Sequence, residues 1–155
     1  MEQLKFIHDT IIHWIDKTDS KANIILGIKF ILVGYFLTLL TGFNFGWNWK
    51  TIALLIFITS SVSAFSFLIK IIYPKLSTEE PTSLIYFKHL ALKYKNNKKQ
   101  GIEDLDKLTE ESFKRDLSNQ IISLSIVAEC KYTDLRKGII ALFFEIIFLV
   151  LYKIL

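Results

Sequence analysis

The chain has 155 residues, 52% of them hydrophobic and 14% aromatic, with a formal charge of +4 and a mean hydropathy of +0.38. Much of that length lies in long apolar runs, which leaves room for one compact unit and none for a separate catalytic domain. Cys130 is the single cysteine, so an internal disulfide is excluded, and its place on a helix reads as a bystander thiol.

Residues 1–21 read as an amphipathic helix, with Leu4, Ile7, Ile11 and Trp14 on one stripe and Glu2, Lys5, Asp9, Asp16 and Lys17 on the other face. The first apolar segment, 22–43, is long enough to cross a bilayer and too long for the core of a cleaved leader. A short loop, 44–50, carries Phe45, Trp47 and Trp49. The second apolar segment, 51–73, contains Thr59, Ser60, Ser61, Ser63, Ala64 and Ser66, small residues that let helix backbones approach closely. In segment one, Gly27, Gly34, Thr38 and Thr41 form a comparable face opposite Lys29.

Tyr73-Pro74 ends the second segment, because proline disfavours a helical residue before it. After a connector at 77–81, residues 82–95 read as a helix containing Tyr86 and Phe87, and 96–101 (Asn-Asn-Lys-Lys-Gln-Gly) as a solvated turn. From 102 to 137 there is no proline or glycine, and Leu117, Ile121, Leu124, Ala128 and Leu135 lie on one stripe, with Lys131 on the same track. Only Gly138 separates this helix from a third apolar segment, 139–155, so the two read as nearly continuous. The expected fold is an all-α membrane protein with three transmembrane helices and a helical cytoplasmic region, made of the N-terminal amphipathic helix and two helices between spans two and three. Its divisions are 1–21, 22–73, 74–138 (a sensor region) and 139–155.

Charge sets the expected topology. Of 19 Lys and Arg, twelve lie in 74–137, three in 1–21 and one in 44–50. The positive-inside rule places the N-terminus and 74–137 in the cytoplasm, and the C-terminus outside. The loop aromatics and Tyr73 then stand at the two interfaces. This distribution explains the basic residues through topology and anionic lipid, and argues against nucleic acid.

Lys29 and Glu145 are charges inside spanning segments, which are costly and generally functional or paired. Each lies seven residues from the start of its span, roughly 10 Å deep at 1.5 Å per residue. Three readings stand: Lys29 snorkels to the surface, the two pair structurally, or they line a pore. There is no phosphate-binding glycine loop, nucleophile elbow or metal-ligand spacing, and His8-Asp9 with His13 reads as a solvated helix face. No enzyme activity, metal or cofactor is expected.

Several strings resemble one known family. His13-Trp14-Ile15 and Asp19-Ser20-Lys21-Ala22 lead into the first span, and Tyr86-Phe87 follows the second. Asp116-Leu117, Gln120-Ile121, Ser125-Ile126 and Lys131-Tyr132 then run towards the last. In this order they resemble the transmembrane effectors of Pycsar, a bacterial anti-phage system built on cyclic pyrimidine nucleotides. The resemblance spans essentially the whole chain; the short third span with Glu145 departs from the family's apolar last helix.

The resemblance implies an inner-membrane effector, functionally linked to a pyrimidine cyclase. It would respond to cyclic CMP or cyclic UMP by impairing the membrane, causing abortive infection. A nucleotide site needs a cation for the phosphate and an aromatic or amide group for the base; Lys21, Arg115, Gln120, Lys131 and Tyr132 are the candidates. Alternatively, Lys131-Tyr132 and Asp19, Lys21 and Ala22 hold the helices together at the membrane surface, Trp14 standing with the last three only as part of the family-like motif. A three-helix monomer has little room for an aqueous path, so a lesion calls for a homo-oligomer. A constitutive channel or transporter subunit, or a membrane scaffold, remain the other classes.

Overall fold

A computed structural model describes residues 1–39, 49–73 and 87–154, without the side chains of 87–89. Every regular element among them is helical: α1 (Glu2–Leu39), α2 (Trp49–Ile72), α3 (Phe87–Tyr94), α4 (Lys98–Asp106) and α5 (Glu110–Ile154). Phe45, Trp47, Thr41, Pro74, the 77–81 connector and Tyr86 lie outside the described residues. The chain divides into two compact units, Met1–Ile15 with Lys75–Ala128, and Asp16–Pro74 with Glu129–Leu155.

The amphipathic stretch and the first span are one unbroken helix, α1, of 38 residues, about 57 Å long at 1.5 Å per residue. Its covered stripe differs from the expected one. Ile7 and Trp14 are 44% and 54% exposed, whereas Leu4, His8, Ile11, Ile15, Thr18 and Ala22 are buried or half-buried. The track continues through Ile25, Lys29, Leu32, Phe36 and Leu39. Its alternating steps of four and three residues form a heptad repeat, which keeps one face of a helix on its neighbours over many turns.

Helix α5 carries the same repeat. Leu117, Ile121, Leu124, Ala128, Lys131 and Leu135 are covered, as expected, and the track runs on through Gly138, Leu142, Glu145, Leu149 and Tyr152. The helix runs through Gly138 without a break, as the near-continuity of the two segments led one to expect. A β-carbon there would meet Leu68 Cδ2 at 3.3 Å, so glycine lets α2 and α5 approach closely. The helix is 45 residues long.

Within the second unit, α1, α2 and α5 pack side by side. Ala22, Leu68, Ile71 and Leu135 form one apolar cluster, and Phe36, Leu54, Phe57 and Leu149 another. Numbering rises together along α1 and α5 and falls along α2 from the first cluster to the second, so α1 and α5 are parallel and α2 antiparallel. Phe36 stacks on Phe57, centroids 4.0 Å apart. Many outward side chains, including Phe30, Ile31, Leu55, Val62, Phe143 and Val150, are apolar and exposed. Helices α1 and α2 contain stretches long and apolar enough to cross a membrane; the third expected span is the end of α5, where Glu145 and Lys153 interrupt the apolar run.

In the first unit the expected helix over 102–137 is interrupted at 107–109. Thr109 is the reason: its hydroxyl accepts from the Ser112 N–H at 3.3 Å, and its own N–H donates to Ser112 Oγ at 3.0 Å. This reciprocal cap starts α5 anew, and Glu110 and Glu111 complement the helix dipole. The expected turn at 96–101 is mostly helix. Asn97 caps α4 by accepting from Gln100 N–H, and Gly101 is buried where a β-carbon would stand 2.9 Å from the Tyr94 ring. Glycine is needed there for close packing, not for turning.

The Tyr94 hydroxyl donates to Asp104, and Lys93 Nζ stands 3.6 Å from the same carboxylate. The Tyr94 hydrogen bond first, then the Lys93 and Lys107 charges, hold the Asp104 carboxyl below its ordinary value despite some desolvation. A carboxyl lowered in the folded state stabilises it above its unfolded pKa, and this is lost as pH falls through the folded value. Amide exchange protection across 87–106 should therefore fall once pH drops below about 4, and Asp104→Asn should flatten that dependence. Gly101→Ala should weaken the same protection at neutral pH by about 1–3 kcal/mol through overpacking; unchanged exchange would contradict the close approach.

Candidate functional site

The interior of the α1–α2–α5 bundle holds its charges. Lys29 Nζ donates to Glu145 Oε2 at 2.6 Å and to Ser61 Oγ at 2.8 Å. Lys29 is 3% exposed and Glu145 fully buried, so Lys29 pairs rather than snorkels. The pair occupies seam positions on α1 and α5, and Ser61 the matching one on α2. It lies between the two apolar clusters along all three helices. Glu145 Oε1 has no hydrogen-bond partner among the described residues.

A second pair stands near the other end of the seam. Lys131 Nζ donates to both Asp19 oxygens, at 2.6 and 2.7 Å. Lys131 is buried, while the Asp19 side chain is 37% exposed, so this pair meets solvent and the deeper one does not. Lys131, Gly138 and Glu145 recur every seven residues on α5. The seam thus carries a cation, a close-approach glycine and an anion at one heptad position. The two pairs have opposite polarity, acid on α1 and base on α5 in one, the reverse in the other.

A seam of this kind can fix register and store charge away from the surrounding solvent. Breaking a buried pair leaves an uncompensated charge, which is strongly unfavourable. Any rearrangement that turns the seam outward would present charged groups to water or to another chain.

The sequence-expected residues fall as follows. Asp19, Lys131, Lys29, Glu145 and Ala22 are brought into the seam, Ala22 within the first apolar cluster. Lys21 is exposed and Tyr132 58% exposed, and both belong to the same unit. Arg115, exposed, and Gln120, half-buried, belong to the other unit, as does the exposed Trp14. Gly27 and Gly34 have nothing among the described residues within 4 Å of where a β-carbon would stand. The Asp19–Lys131 pair agrees with the reading that these two segments hold the helices together, though the sequence did not name the two as an ion pair, and Ser61 was not anticipated as a partner. Counting back two heptads from Glu145 would have reached Lys131.

The chain matches the family described as the Pycsar effector protein domain, PycTM, over residues 3–155. It belongs to that family, and so to the Pycsar anti-phage system and its cyclic-nucleotide signalling. Its two apolar helices and its family together make it a membrane protein. No curated protein and no solved structure matches it.

Removing either partner of the deep pair, by Lys29→Ala or Glu145→Ala, should cost about 3–5 kcal/mol in unfolding by denaturing detergent. The apolar double replacement Lys29→Met with Glu145→Leu should unfold at or above the wild-type point. Asp19→Ala should cost less than either single change, since its pair is partly hydrated. Equal losses in all four variants would contradict the assignment of the deep pair as the buried one.

Proposed function

We propose that this Pycsar effector is a three-span inner-membrane protein that impairs the membrane when cyclic CMP or cyclic UMP rises in an infected cell. The observation that carries the reading is a charged seam enclosed by three helices whose outer surfaces are apolar. Such an arrangement suits a membrane protein with a sealed resting form. A third span is supported by the outward side chains of α5 past Gly138: Ile139, Ile140, Phe143, Phe144 and Ile147 are exposed and apolar, while Glu145 is enclosed. The distribution of Lys and Arg supports a cytoplasmic N-terminus and an external C-terminus.

In the resting form Lys29 Nζ binds Ser61 Oγ and Glu145 Oε2 within the bundle. The active form is an assembly of several copies in which the seam turns to line or trigger an opening. Phage infection raises the nucleotide through a pyrimidine cyclase, and the nucleotide favours the active form because it binds that form better. Moving the population from 1:99 to 99:1 takes roughly a 10⁴-fold preference. We assign nucleotide contacts to Lys21 and Tyr132, which share one compact unit, with Lys131 of the same unit joining them when Asp19 releases it. The protein catalyses no reaction in this scheme; the lesion itself ends the infection.

Membrane potential in cells expressing the chain, with and without an active pyrimidine cyclase, tests the reading. Depolarisation is expected only with the active cyclase. Glu145→Gln should reduce it, and the Lys29→Met, Glu145→Leu pair should abolish it at equal membrane expression. Depolarisation without cyclase would instead indicate a constitutive channel, and none under either condition a scaffold.

A further inference from the structure

The geometry points to a site for an anionic membrane phospholipid in the open groove between α2 and α5, an inference that rests on the spanning reading. The groove has a volume of about 400 Å³. Along its α2 wall stand Thr59, Ser60 and Ser63; along its α5 wall stand Ile140, Ala141 and Phe144. At one end it is bounded by Phe67 and Lys137.

That end is cationic. Lys137 Nζ lies 5.8 Å from the centroid of the Phe67 ring, and Lys70 Nζ lies 5.3 Å from it. Both lysines are exposed, and neither has a carboxylate within salt-bridge distance among the described residues. Both ammonium groups stand near one ring, and an anion at that ring would be attracted by both. Lys70 is in the last turn of α2, the level at which phosphate headgroups meet a spanning helix, whereas Thr59 is eleven residues deeper, about 16 Å at 1.5 Å per residue.

A ligand that fills this groove must be anionic at the Lys70–Lys137 end and apolar along α5. A free nucleotide has no apolar tail for Ile140 and Phe144, and a second helix would bring no anion to the lysines by itself. An anionic phospholipid meets both demands: its phosphate lies by the lysines, and one acyl chain follows Ile140, Ala141 and Phe144. Basic pockets between spanning helices bind anionic headgroups through this chemistry.

The test is retention of phosphatidylglycerol against phosphatidylcholine by the full chain, purified from mixed nanodiscs and examined by native mass spectrometry. The wild type should keep phosphatidylglycerol preferentially. The Lys70→Gln, Lys137→Gln double variant should lose that preference about thirtyfold. Ser63→Phe, which fills the groove and leaves both cations, should lose it too.

Equal preference in the wild type and the lysine variant would overturn the site, leaving the lysines as snorkelling cations. Full retention by Ser63→Phe would overturn the groove as the place of binding. Displacement of the lipid by inorganic phosphate or by cyclic CMP would overturn the lipid as the natural occupant. Carbonate extraction separates the premise: a chain released by carbonate overturns the spanning reading itself, whereas one that stays in the membrane without lipid preference overturns only this site.

Discussion

An ammonium and a carboxylate enclosed where water is scarce must find each other, and the arrangement of the bundle follows from that constraint. Lys29 and Glu145 bind at 2.6 Å with Ser61 as a third partner, which ties α1, α2 and α5 at one level. Apolar contact alone would not fix that level, because lipid tails are as apolar as the leucines and phenylalanines they would replace. Slipping α5 by one heptad would bring Gly138 to Lys29 and leave its charge unpaired. Slipping it by two would bring Lys131 there, one cation against another. The opposite polarity of the Asp19–Lys131 pair thus acts against wrong registers as well as for the right one.

At 45 residues α5 is about 68 Å long at 1.5 Å per residue, more than twice the ~30 Å hydrocarbon core of a bilayer. Its covered stripe keeps one heptad track from Leu117 to Tyr152. The helix is continuous from Glu110 to Ile154. Under the proposed function the nucleotide acts on the seam at Lys131, whose partner Asp19 is partly exposed.

Much of this was legible in the sequence. Segment lengths marked the two helices long and apolar enough to cross a membrane, and equal counts from the segment starts allowed Lys29 and Glu145 to pair. The stripe of Leu117, Ile121, Leu124, Ala128 and Leu135 predicted which face of α5 is covered. Where the reading failed, the physics differs. In α1, Ile7 and Trp14 compete with His8 and Ile15 for the stripe, and only the continuation through Thr18, Ala22 and Lys29 decides the phase. Within the spans the usual guide reverses, since apolar side chains face outward and the charged ones inward. Gly101 and Thr109 read locally as a turn residue and a helix interior residue. Their roles depend on the Tyr94 ring and on Ser112, through contacts that single-residue propensities do not include.

The central claim is that the enclosed seam opens when the effector is activated, and the accessibility of Ser61 tests it most directly. In a Cys130→Ser background, Ser61→Cys would be exposed to a water-soluble thiol reagent in cells, before and after cyclase induction. The account predicts a protected thiol at rest and a reactive one once the nucleotide is made. Equal protection in both states, in cells that nonetheless depolarise, would contradict it.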